Sequence, residues 1–187
     1  LIIEAIKRNR IPNSQLLIRL HPHDSMSKYE NLKNYSNVKI EYPYEKTNNN
    51  GVGLNFAFGK QKRNHLANSL YHSDVVISVA STIAIEACIF QKPIIDIGFE
   101  CDNEMQIVNS SKEIYSLTHY NNFTNFGAND IAFSRYELID LINENLKFPD
   151  QKQKNRSDAM KAFAKNIDGQ SMVRSIDALQ SFLKIEK

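Results

Sequence analysis

Residues 73–87 read Ser73-Asp74-Val75-Val76-Ile77-Ser78-Val79-Ala80-Ser81-Thr82-Ile83-Ala84-Ile85-Glu86-Ala87, and they carry the strongest structural signal in the chain. Asp74 opens an apolar run. Val75 to Val79 has the β-branched density of a central strand covered on both faces. Ala80 and Ser81 end the run without bulk. Ser81 or Thr82 then caps a helix that continues through Ile83, Ile85, Ala87 and Cys88. A helix that starts at the carboxyl end of a parallel strand offers backbone N–H groups and a positive dipole, which suits a phosphate. An ordinary capped strand–helix turn with no ligand has the same local sequence.

Signals on either side alternate between strand and helix. Residues 1–10 read as a helix ending in Lys7, Arg8 and Arg10, and Pro12-Asn13 breaks it. Gln15 to Leu20 reads as a strand, 26–34 as a short helix and Val38–Ile40 as a strand. Residues 41–60 hold Pro43, three consecutive Asn and two Gly, with no periodicity, and read as a long loop. Arg63 to His72 returns to helix, and Pro93 to Ile97 is strand-like. Residues 100–127 read as irregular, with a strand or turn near 114–119. Asp130–Phe133 is a short strand. Ser134 and Glu137 form a capping box for a helix to Leu146, which Pro149 stops. Helices over 151–166 and 169–185 complete a helical C-terminus. The pattern predicts one α/β domain over 1–187, a Rossmann-like doubly wound, mostly parallel sheet with helices on both faces.

The 187 residues are enough for one domain with a core. A net charge of +2 gives no bulk electrostatic case for nucleic acid or an anionic membrane. No apolar run approaches the roughly 20 residues that span a bilayer, and no signal peptide is visible. Cys88 and Cys101 form no metal or disulfide pattern, which fits a reducing cytoplasm. Leu1 to Lys7 looks like a helix interior, so the chain is expected to be a fragment of a longer protein.

Strand ends gather the chemistry: His21, His23 and Asp24 after one strand, Ser81 and Thr82 after another, Glu100 and Asp102 after a third. Pro22 fixes the backbone beside His21, whose imidazole suits donation to a phosphate or protonation of a leaving group. The spacing of His21, His23 and Asp24 matches no usual metal site, and no metal is expected. Glu86 lies one turn into the helix, within reach of a ribose hydroxyl, and equally suits the helix dipole. His119-Tyr120 and Asp168-Gly169-Gln170-Ser171 are weaker signals, the latter a helix start.

Arg19-Leu20-His21-Pro22, Ser81-Thr82 with Glu86-Ala87, Lys92-Pro93-Ile94-Ile95 and the closing Asp168-Gly169 helix occur in an order that resembles the C-terminal, nucleotide-binding half of GT-B glycosyltransferases. The closest similarity is to CDP-glycerol glycerophosphotransferase-like and capsule-biosynthesis proteins and to sialyltransferases with an HP motif. This resemblance implies a cytoplasmic transferase of bacterial surface-polysaccharide synthesis, at the inner membrane face through peripheral association of the full-length enzyme. It implies a nucleotide-activated sugar or glycerol donor of CMP, CDP or UDP type. Arg19, His21, Ser81, Thr82 and Glu86 would bind the donor, with His21 also catalytic. The acceptor and the base would belong to a missing N-terminal domain, so the chain alone is expected to bind nucleotide without transfer. Glu86 departs in spacing from the two-glutamate motif of retaining GT-B enzymes. UDP-N-acetylglucosamine 2-epimerases share the fold and a similar turn, and a non-catalytic Rossmann-like module is the alternative outside enzymes.

Overall fold

A computed structural model of the chain describes residues 1–21, 24–42, 45–46, 56–57, 59–100, 115 and 118–183. The order is α1 (Ile2–Lys7), β1 (Leu16–Arg19), a 3-10 helix (Met26–Leu32), β2 (Val38–Glu41), β3 (Glu45–Lys46), β4 (Phe56–Ala57), α2 (Lys60–His72), β5 (Val76–Ser78), α3 (Ile83–Ile89), β6 (Ile94–Ile97), α4 (Thr118–Thr124), β7 (Asp130–Ala132), α5 (Arg135–Lys147), α6 (Gln153–Phe163) and α7 (Ser171–Leu183). The protein is α/β, with two small parallel sheets flanked by helices. β1 pairs with β2, and β5, β6 and β7 form the second sheet in that order.

In the second sheet Val76 lies opposite Ile94 and Ser78 opposite Asp96, while Ile95 lies opposite Asp130 and Ile97 opposite Ala132. Alternation along the strands sends successive side chains to opposite faces. One face gathers Val76, Ile94, Ala84, Ala87 and Cys88 of α3, Tyr120 and Phe123 of α4, and Ala159 of α6. The other gathers Val75, Ile77, Ile95 and Ala132 against Ala5, Ile11, Leu138, Ile139 and Ile142. Ile94 and Ile95 are almost wholly buried, and each such side chain contributes about 1.5–3 kcal/mol relative to exposure.

The expectation that Val75–Val79 is the central strand is corrected. β5 is the end member of its sheet and β6 takes the middle. Val79 is 49% exposed. An apolar β-branched run records that both faces are covered, which they are, and says nothing about how many neighbours a strand has.

Three further corrections are local. The 41–60 loop contains two short strands, with Glu45 opposite Ala57 and Lys46 opposite Phe56 in antiparallel pairing, and α2 begins at Lys60. The segment near 26–34 is a 3-10 helix. Within the irregular stretch 100–127, Thr118–Thr124 is helical. Its Asn and Thr residues are poor helix formers, and burial of Tyr120 and Phe123, three apart on one face, overrides them.

The starts of α5 and α7 follow the sequence. Ser134 Oγ accepts the Glu137 N–H at 3.1 Å, and Glu137 Oε2 accepts the Phe133 N–H at 2.7 Å. Asp168 accepts from Gln170 N–H and Arg174 before α7. Arg156, buried in α6, donates to the Pro149 carbonyl at 2.6 Å and ties α6 to the end of α5. α7 leaves Met172, Val173, Ile176, Leu179, Phe182 and Leu183 exposed. Among the described residues no helix is long and apolar enough to cross a membrane.

Candidate functional site

The turn between β5 and α3 begins at Ala80, which adopts a positive φ of 34° without being glycine. Ser81 is half-buried and Thr82 is exposed. Thr82 occupies the helix N-cap in a helical conformation and makes no side-chain cap. Ser81 Oγ accepts the Ile83 N–H instead, at a long 3.4 Å. Burial raises the Tyr115 and Tyr120 phenols, and the backbones of Ala80 and Ser81 respectively oppose that rise slightly. Both tyrosines are buried.

Beneath the turn lies a polar cluster that the sequence reading did not single out. Asp96, at 0% exposure in β6, accepts from Ser78 Oγ at 2.7 Å, Tyr120 Oη at 2.6 Å and Asn129 Nδ2 at 2.7 Å. Burial pushes its carboxyl above the usual range, and the three donors oppose that rise. Burial and the neighbouring Asp96 charge likewise push the Tyr115 and Tyr120 phenols up. Tyr115 also donates to the Ile97 carbonyl at 2.7 Å. A signal for this cluster was present: a lone Asp inside Ile94-Ile95-Asp96-Ile97, a strand apolar on both faces.

A second cluster sits at the carboxyl ends of β1 and β2. Arg19 Nη1 pairs with Glu41, donates to Ser69 Oγ at 2.9 Å and lies 3.2 Å from His65 Nδ1. His65 Nε2 is 3.3 Å from the other Glu41 oxygen. Ser69 Oγ spends its own proton on the His65 carbonyl at 2.8 Å, which leaves it a positioning group rather than a nucleophile.

Arg19 also reaches towards α3. Burial raises the Glu86 carboxyl above its usual range, and the Arg19 charge pulls it back down. Arg19 and Glu86, 67 positions apart by subtraction of their numbers, thus lie within electrostatic reach. His21 is exposed two residues past Arg19, and its carbonyl accepts the Asp24 N–H at 2.9 Å. Asp24 is held down to about 2 by hydrogen bonds from Tyr29, Lys28 and the Ser25 backbone. Glu100 is exposed. His23 and Asp102 lie outside the described residues, as does the side chain of His119.

Among the described residues no group of three His, Cys, Asp or Glu side chains is placed to hold a metal ion. A surface concavity lined by Lys147 to Gln151 at the end of α5 includes none of the candidate residues. Cys88 is fully buried and its thiol is pushed up to about 11 by burial, which makes it inert as a nucleophile. Comparison of the chain with protein-family models, with curated proteins and with solved structures finds no match.

Proposed function

We propose that the chain is the donor-binding domain of a glycosyl or glycerophosphoryl transferase of GT-B type, Rossmann-like and doubly wound, acting on the cytoplasmic side in surface-polysaccharide synthesis. The observation that supports this most is that the Arg19 charge bears on the half-buried Glu86 carboxyl, opposing the rise that burial causes. Arg19 at the carboxyl end of β1 and Glu86 in the first turn of α3 then bear on the region where ligands of parallel α/β sheets bind. In this reading His21 and the exposed Thr82 face the donor phosphates, with Ser81 beside them. An imidazole suits protonation of a departing phosphate oxygen. Glu86, half-buried, lies towards the ribose. Arg19, neutralised in part by Glu41, orients the end of β1 rather than meeting phosphate alone.

A second reading, a non-catalytic α/β module, draws on the Ser81 hydroxyl, which accepts the Ile83 N–H and so serves the start of α3 without any ligand. Calorimetric titration of the folded chain with CMP, CDP and UDP separates the two. The transferase reading expects millimolar or tighter binding of at least one nucleotide. It also expects Ser81→Ala with Thr82→Ala to weaken that binding by about tenfold, the equivalent of one lost hydrogen bond to a charged group. No heat from any of the three, with the protein shown to be folded, supports the module.

A further inference from the structure

Helix α7, Ser171–Leu183, has no buried residue. Met172, Val173, Ile176, Leu179, Phe182 and Leu183 are between 47% and 83% exposed. At about 100° per residue these side chains fall on one half of the helix, and Arg174, Asp177 and Ser181 fall on the other. The start of the helix is fixed locally, since Asp168 accepts from the Gln170 N–H at 3.0 Å and from Arg174 at 2.8 Å. A helix of 13 residues is nevertheless marginal in water without packing of its apolar face. A contiguous apolar patch of this kind marks a contact surface.

Met172, Ile176, Leu179 and Leu183 are spaced by four, three and four positions, which is the a/d spacing of a two-helix seam. Ile176 at an a place and Leu179 at a d place are residue types that favour two strands. Val173 and Phe182 flank the seam on its two sides. Together these side chains expose on the order of 600 Å², against the roughly 800 Å² per partner of a stable complex. A symmetric pair uses the same patch on both subunits, so one stripe supplies both halves of an interface. Arg174 and Asp177 balance in charge, so the polar side lacks the Lys/Arg excess of a helix that lies on anionic lipid. We propose that α7 is a self-association surface, on which a second copy of this chain packs through the stripe Met172, Ile176, Leu179 and Leu183. The area falls somewhat short of the standard interface, so the dimer exchanges with monomer rather than being obligate. The pairing does not depend on what the strand ends bind.

Analytical ultracentrifugation of the folded chain from about 1 to 200 µM tests it. The mean mass should rise with concentration from the 21.5 kDa of one chain towards twice that value. Amide hydrogen exchange over Ile176 to Leu183 should slow over the same range, while Ile131 and Ala132 in β7 stay unchanged. Ile176→Ala with Leu179→Ala should weaken association by about tenfold or more. Alanine favours helix, so that loss reports missing apolar contact rather than a melted α7. Ser181→Ala, on the opposite side of the helix, should leave association within about twofold of wild type. A single 21.5 kDa species at every concentration overturns the pairing. Association that survives the double alanine change also overturns it, because the contact then lies on another surface. So does a chain that stays monomeric and binds vesicles of phosphatidylcholine and phosphatidylglycerol, because a lipid surface is then the occupant.

Discussion

Asp96 in β6 and Glu41 in β2 occupy comparable places near the carboxyl ends of two parallel sheets, yet they are neutralised in opposite ways. Asp96 is sealed from solvent and meets three neutral donors, Ser78, Tyr120 and Asn129. Glu41 keeps some contact with water and meets a full positive charge on Arg19, with His65 and Ser69 arranged around that pair. The sheets differ in cover as well. The three-stranded sheet has an apolar cluster on each face, whereas β1 and β2 have half-buried and exposed positions along their length. The difference teaches that the deeper carboxylate relies on geometry, because three orphaned donors follow from its loss. The shallower one relies on charge, which water and salt replace in part.

The largest expected effect breaks the buried cluster. Asp96→Ala leaves three donors without an acceptor and should cost about 3 kcal/mol or more, against about 1 kcal/mol or less for Glu41→Gln, where Arg19 keeps Ser69 and gains water. Urea denaturation of both variants reads the contrast, and equal losses would remove the distinction between the sheets. Next comes the seam between β6 and β7. A Cβ on Gly98 would sit 2.6 Å from Ile131 Cγ2 and 3.2 Å from the Ala132 carbonyl. Gly98→Ala should therefore cost about 1–3 kcal/mol by overpacking, measured as a fall in the denaturation midpoint. No loss would mean that the three-stranded sheet yields as readily as the outer pair.

The smallest effect sharpens the link between the two sheets through Glu86. Burial raises its carboxyl above the usual glutamate range in the folded protein. The native state therefore holds that proton more tightly than the unfolded chain. The associated stability is fully present below the unfolded value and is lost as pH rises through the folded one. Glu86→Gln removes this dependence, so stability relative to wild type should improve as pH rises from below that value towards neutrality. A difference that stays flat with pH would separate Glu86 from the burial and from the Arg19 charge invoked for it.

The strand–turn–helix–strand unit around residues 73–97 was legible because its apolar runs, small turn residues and Pro93 all agree. The Ser134–Glu137 start of α5 was legible for the same reason, although the Glu137 carboxylate reaches the Phe133 amide rather than that of Ser134. Strand order was not legible, since Val75–Val79 reports its two covered faces and not its neighbours. α4 was missed because Asn121 and Asn122 disfavour a helix that Tyr120 and Phe123 secure by burial. Of the candidate site, Arg19 and Glu86 do come within electrostatic reach. The tyrosines of the buried cluster were invisible, because hydrogen bonds across 24 residues, as between Tyr120 and Asp96, leave no local pattern. Asp96 itself was readable in principle, as a charge inside an apolar strand.

The strands of the three-stranded sheet lie side by side in the order in which they leave the chain. Ser78 and Asp96 are separated by only 18 positions, and Asn129 closes the cluster from 33 positions away. Loop-closure entropy grows with the logarithm of length, so each contact costs little more chain freedom than the one before it. The whole polar cluster around Asp96 is thereby written into one piece of polypeptide, from Ser78 to Asn129. Such a piece has low contact order and can assemble its sheet centre by successive short closures.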